Sequence, residues 1–151
     1  MYSELLKVPF IAHLPDCEHR DIYALIQFPD ILPTALEALG LESEARCMQG
    51  QSFLKVIEGE REEHRSHIIV GYHEAVDRCI RDKRWSYVKR PEGQPDELYN
   101  LAEDPGERKN IVDERRDVAA KLSSHYGFYF HRSEEPWIIK GLQGRYEVSS
   151  T

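Results

Sequence analysis

Four side chains of metal-ligating type crowd into seven residues: His13, Asp16, Cys17 and His19. Their types suit zinc, but the H-x-x-D-C-x-H order matches none of the usual ligand spacings, so the expectation is a polar loop. His64 and His67 lie three apart with His73 beyond, a spacing that on a strand or loop does not bring the imidazoles onto one ion. The neighbouring acids Asp96/Glu97 and Glu134/Glu135 project to opposite sides of an extended backbone, which rules them out as acid–base pairs. Trp85 and Tyr87 share one strand face by two-residue alternation. They suit stacking on a sugar ring or packing on a sheet, and packing is the expectation.

A second chemical feature is a run of cations. Arg78, Arg81, Lys83, Arg84, Lys89 and Arg90 stand against the single acid Asp82. Such a segment offers either a local anion site or a solvated hairpin with scattered charge. His73, in the Gly71-Tyr72-His73-Glu74 stretch after a predicted strand, is the loop histidine best placed for function.

Composition bounds these readings. With 151 residues the chain is long enough for one domain with a real core. A net charge of −7 argues against broad binding to nucleic acid or anionic membranes. No apolar run reaches the length of a membrane span. Met1 to Lys7 lacks the basic start and long apolar core of an export signal, so the chain reads as cytoplasmic. Cys17, Cys47 and Cys79 are odd in number and widely spaced, without C-x-x-C. Reduced thiols fit better than a disulfide framework.

The elements that position these groups follow from periodicity. Val8 to Leu14 is a nearly unbroken apolar run that predicts a strand buried on both faces. Ile22 to Leu41 carries apolar residues at helical spacing, including Ile26, Leu32, Ala35, Leu36 and Leu39. Asp30 is placed to cap that helix, Pro33 to sit in its first turn and Gly40 to end it. Residues 42–66 are polar apart from Phe53, Leu54, Val56 and Ile57. Beyond them, His67–Tyr72, Ala75–Arg81, Arg84–Lys89 and Glu97–Leu101 read as strands of a small antiparallel sheet, with a turn at Asp82-Lys83. Asp104-Pro105-Gly106 is a turn in which Gly supplies positive φ. A helix from Ile111 to His125 follows, with Ile111, Val112, Val118, Ala119 and Leu122 toward the sheet. The aromatic-rich tail to Thr151 is expected to pack on something. The fold class is therefore α/β (α+β): a strand–helix unit over 1–60, then an antiparallel sheet packed with a C-terminal helix over 61–151.

Five blocks in order resemble one family. Met1-Tyr2-Ser3-Glu4-Leu5-Leu6-Lys7-Val8-Pro9-Phe10-Ile11 is similar to the "MYEESLRVPLI" block of sulfatases, with Lys7 where Arg is usual. The stretch Asp30 to Leu41 resembles "DIxPTLLDLAGI", and Gly50 to Leu54 resembles "GxSLLP", with Lys55 replacing the Pro. Ile80 to Tyr87 resembles "IRDGRWKYI". Asp96 to Asn110 resembles "ELYDLENDPGE-x-x-N". The resemblance covers residues 1 to about 125. It implies the C-terminal region of a sulfatase of the alkaline-phosphatase-like superfamily, ahead of phosphodiester- and phosphonate-ester-cleaving relatives. Residues 1–60 would then be a remnant of the large α/β domain and 61–151 the C-terminal subdomain.

In that family a formylglycine made from the first residue of C-x-P-x-R attacks sulfur, and calcium steadies the sulfate. Cys17, Cys47 and Cys79 each lack Pro at the third position and Arg at the fifth. The resemblance thus implies a chain without its own nucleophile or metal ligands, a fragment contributing structure and contacts to a sulfate ester pocket. His73, Arg78 and Arg81 are the candidate substrate-binding residues, with Arg81 behind the other two. Calcium and formylglycine belong to the full-length family. The alternative is a stand-alone anion-binding or assembly module. Either way, apolar faces made to pack on a large sheet would be left uncovered, predicting a homo-oligomer with the N-terminal segment exchanged between chains.

Overall fold

The computed structural model describes residues 2–15, 17–71, 78–91 and 93–133, with side chains described as far as residue 125. Its centre is a four-stranded antiparallel sheet in the order β1 (Ile68–Gly71), β2 (Arg78–Arg81), β3 (Trp85–Lys89), β4 (Glu97–Asn100). Each strand pairs with its sequence neighbour, as short connections between β-rich runs require. The β2–β3 turn is set by Asp82, whose Oδ1 accepts the backbone N–H groups of Arg84 and Trp85 at 2.7 and 2.6 Å. This side-chain mimic of a turn is what makes Asp a good turn residue.

The register puts Ile69 opposite Ile80, Ile80 opposite Tyr87 and Tyr87 opposite Leu98. One lateral row of apolar side chains therefore crosses all four strands on a single face. Helix α4 (Arg116–Ser133) covers that row with Ala119 and Leu122. Ile111, Val112, Val118 and Trp85 pack around the edge. The expected sheet-facing set of the C-terminal helix is the observed one. Its first members belong to a turn at 111–115 rather than to the helix itself. Burying each large apolar side chain of this row contributes about 1.5–3 kcal/mol.

The other sheet face carries the row Arg81, Ser86 and Tyr99, and all three are buried. The N-terminal segment covers it. Short helix α1 (Ser3–Leu6) begins beside Tyr2, whose ring meets Tyr99 edge-on at 6.1 Å between centroids.

A second apolar cluster forms around Phe53, Val56 and Ile57, on and beside α3 (Leu54–Ile57), with Leu14, Cys17, Ala24 and Ile26 against it. Helix α2 (Ile31–Ala38) ends as expected at Gly40, which takes φ +72°. It begins at Ile31, directly after Asp30 and with Pro33 in its first turn as expected, while the apolar residues from Ile22 to Gln27 precede it in an irregular stretch that leads into a 3-10 turn at Phe28–Asp30.

The expected strand over Val8–Leu14 does not form. That segment has no ladder partner, and Val8 and Ile11 are 76% and 93% exposed. An apolar run becomes a strand only when a neighbouring strand takes its backbone hydrogen bonds, and the described residues supply none here.

Candidate functional site

Two buried carboxylates organise the polar interior, and both reach across the chain. The first is Glu107, at the end of the Asp104-Pro105-Gly106 turn. Positive φ in this turn falls not on Gly106, as the residue types suggest, but on Glu107, at +51°. A non-glycine residue in this region is strained by about 1–3 kcal/mol and persists only where its surroundings hold it. The surroundings do so. Ser3 donates to Glu107 Oε2 from its backbone N–H at 2.6 Å and from its hydroxyl at 2.7 Å. Arg81 Nη1 lies 3.3 Å from both carboxylate oxygens, and Arg81 Nη2 donates to the Ser3 hydroxyl at 2.5 Å. Burial works to raise the Glu107 pKa, but Ser3, Ser86 and Arg81 together hold it below the ordinary value.

A parallel clasp lies beside it. Tyr2 and Tyr99 hydroxyls both donate to Glu97 Oε2, at 3.1 and 2.9 Å. Arg90 donates to Glu97 Oε1 at 2.9 and 2.6 Å and to the Tyr2 hydroxyl at 3.1 Å. The second buried carboxylate is Asp30, fully excluded from solvent. It does not cap α2, as its position suggested. It accepts the backbone N–H groups of Gln27 and Gln51, each at 2.9 Å, and a two-point bond from Arg65 at 2.8 and 2.5 Å. Burial opposes ionisation, but Arg65 and the two N–H groups hold the Asp30 pKa down at about 2. Gly50 makes this possible, because a Cβ there would sit 1.8 Å from the Pro29 carbonyl oxygen. His64 Nε2 lies 3.3 Å from Asp30 Oδ2, with its ring tilted against Phe53.

The basic segment is largely neutralised. Arg81 pairs with Glu107, Lys83 with Glu63, Lys89 with Asp96 and Arg90 with Glu97. The Arg84 and Arg115 guanidinium groups lie over the Trp85 ring, at 5.2 and 5.3 Å from its centroid. Arg78 opens β2 opposite Lys89. Of the three candidate substrate-binding residues, Arg81 is buried and engaged by Glu107 and Ser3, Arg78 stands at the sheet end, and His73 lies outside the described residues.

Among the described residues no three His, Cys, Asp or Glu side chains gather as a cation site. Cys17 packs against the Phe53 cluster, and Asp16 lies outside the described residues. The buried carboxylates are saturated by N–H, hydroxyl and guanidinium donors. Among the described residues these two carboxylates therefore leave no open set of oxygens for a divalent cation. A recess of about 210 Å³ opens beside α3, but its walls mix Lys55 and Arg61 with Glu37 and Glu63, so no single charge focuses there.

Residues 1–127 match the family described as N-sulphoglucosamine sulphohydrolase, C-terminal. The chain belongs to this sulfatase family. The Delta 4,5-hexuronate-2-O-sulfatase of Bacteroides thetaiotaomicron is 30% identical over 150 residues, which take in 90% of this sulfatase chain and 31% of that enzyme. A solved 2-O GAG sulfatase superposes with a TM-score of 0.58 at 26% identity, covering 72% of this chain and 25% of that one. A protein solved with its substrate D-glucosamine-2-N,6-O-disulfate shares the fold, with a TM-score of 0.60 at 22% identity over 71% of this chain and 24% of that one. The chain spans about a third of the length of the curated relatives it matches.

Sequence reasoning missed the partners of both buried carboxylates. Glu107 and Ser3 each lay inside a family block, but nothing local joins the first block to the last. The available signal was the charge itself: an acid within a compact turn beside a strand rich in Arg invites a cation partner.

Proposed function

We propose that this chain is the C-terminal region of a sulfatase-like sulfuric ester hydrolase, inactive by itself. It contributes scaffold and pocket contacts to an enzyme acting on sulfated sugars. The observation that carries this reading is the combination of a family match over residues 1–127 with three cysteines that all lack the C-x-P-x-R context. A nucleophile and a divalent cation are what sulfate ester cleavage demands of such a site, and they would come from the remainder of the enzyme. The sugar class is suggested by the 2-O-sulfatase relative.

Within this reading His73 and Arg78 supply contacts to the anionic substrate. Arg81, the third candidate, holds the Glu107 clasp. The test is hydrolysis of an aryl sulfate and a sulfated disaccharide by the purified chain. No turnover above buffer is expected. Robust turnover that a substitution within residues 1–151 abolishes would overturn the reading.

A further inference from the structure

Helix α4 is held to the sheet lightly. Among its described side chains only Ala119 and Leu122 are buried, in one cluster with Ile80, Tyr87 and Leu98. Three residues past Leu122 stands His125, whose ring centroid lies 4.5 Å from that of His67, the residue before β1. A strand end and a helix thus meet through two imidazoles. The approach to α4 is anchored differently. The backbone N–H of Ile111 donates to the Leu98 carbonyl at 2.9 Å, and the Asn110 side chain accepts the N–H groups of Leu98 and Val112. The helix therefore has a fixed entry and a titratable contact farther along.

Charged groups reach His67 from each neighbouring element. Asp82, in the β2–β3 turn, favours the imidazolium, while His125 on α4 and Arg65 on the preceding segment oppose it. The Asp82 carboxylate is already shared with the turn N–H groups of Arg84 and Trp85, and Arg65 is drawn to Asp30. Lys121, one turn before His125, adds a cation on the helix side. Ser66 Oγ lies 3.0 Å from His67 Nδ1, and a hydroxyl can serve that nitrogen in either ring state. Burial and the facing cations keep the docked imidazole neutral, so proton uptake favours an undocked helix. The opposite face of the sheet is held by groups that titrate elsewhere. Burial works against ionisation of Glu107 and Glu97, but Ser3 and Arg81 around the first, and Arg90 and Tyr99 around the second, hold both below the ordinary carboxylate range. Those clasps outlast the acidification that charges the histidines.

We propose that the His67–His125 contact is an acid-operated latch. At neutral pH the two uncharged rings seat α4. When both become charged the helix swings away, on its tether at Asn110 and Ile111, from a sheet that stays folded, and Ile80, Tyr87 and Leu98 are uncovered. This device does not depend on the sulfatase reading above.

The test is amide hydrogen exchange on the full chain by NMR at about pH 7.5 and about pH 5.5, corrected for the intrinsic rates. Protection at Ala119 and Leu122 should fall at least about fivefold, while at Ile80 and Val88 it changes by less than about twofold. His67→Phe and, separately, His125→Leu should each remove the drop in α4. As a second measurement, the imidazole C–H signals of the unaltered chain are titrated, and their midpoints should coincide with that of α4 opening. Equal loss of protection in helix and sheet would overturn the proposal. So would a drop in α4 that persists in both variants, or an opening whose midpoint falls in the carboxylate range.

Discussion

Glu107 holds Ser3 by both its backbone N–H and its hydroxyl, across 104 positions of sequence. The first and last family blocks of the chain are thereby one structural unit, with Arg81 of β2 as the cation between them. Glu107 makes these bonds to the first residue of α1 from a backbone at φ +51°.

Glu107 therefore does two separable things, and two substitutions separate them. Glu107→Ala removes the carboxylate, leaves Arg81 buried without its partner and retains a Cβ at positive φ. It should cost about 3–5 kcal/mol. Glu107→Gly loses the same clasp but relieves the backbone strain, so it should be about 1 kcal/mol less destabilising than Ala. Urea unfolding of the two variants gives the comparison; an alanine variant as stable as the glycine one would contradict the strain.

Asp30 predicts an acid limb. Its pKa is about 2 in the fold against an ordinary 3.8. The stability it contributes is complete above 3.8 and is lost as pH falls from there through about 2, on the order of 2 kcal/mol in all. Asp30→Asn should remove this limb from a plot of unfolding free energy against pH.

His67 predicts a second, milder dependence of the same sign. Its ring lies 4.5 Å, centroid to centroid, from that of His125 on α4, tilted by 40°. Burial first, and His125 second, hold its pKa below 6.5. As pH falls below 6.5 the unfolded chain takes up a proton that the folded chain resists, so stability declines. His67→Phe should flatten thermal unfolding over that window, and His125→Leu should reduce the slope.

Asn110 closes the signature segment. Its Oδ1 accepts the N–H groups of Leu98 and Val112, each at 3.0 Å, and its Nδ2 donates to the Asp96 carbonyl at 3.1 Å. It satisfies the edge of β4 where no further strand follows. Asn110→Ala should cost about 1–3 kcal/mol and speed amide exchange at Leu98 more than at Ile80.

The local pattern of the chain was sufficient for the sheet. Alternation placed Trp85 and Tyr87 on one face, Asp82 marked the hairpin turn, and helical spacing picked Ala119 and Leu122 as the residues of α4 that meet Ile80 and Leu98. Order and spacing of short blocks were sufficient for the family. These features depend on neighbours within a few positions, which is the range over which periodicity and turn chemistry act.

Tertiary structure decided the rest, because it depends on groups far apart in sequence. Whether Val8–Leu14 becomes a strand turns on a neighbouring strand, not on its own apolar run. Asp30 has the composition of a helix cap and becomes instead the partner of Arg65, 35 positions on. Arg81 stands in a basic run of the sequence, and only the fold shows that its partner is Glu107. A buried charge must find its counter-charge wherever the fold brings one, and that partner is not written beside it in the chain.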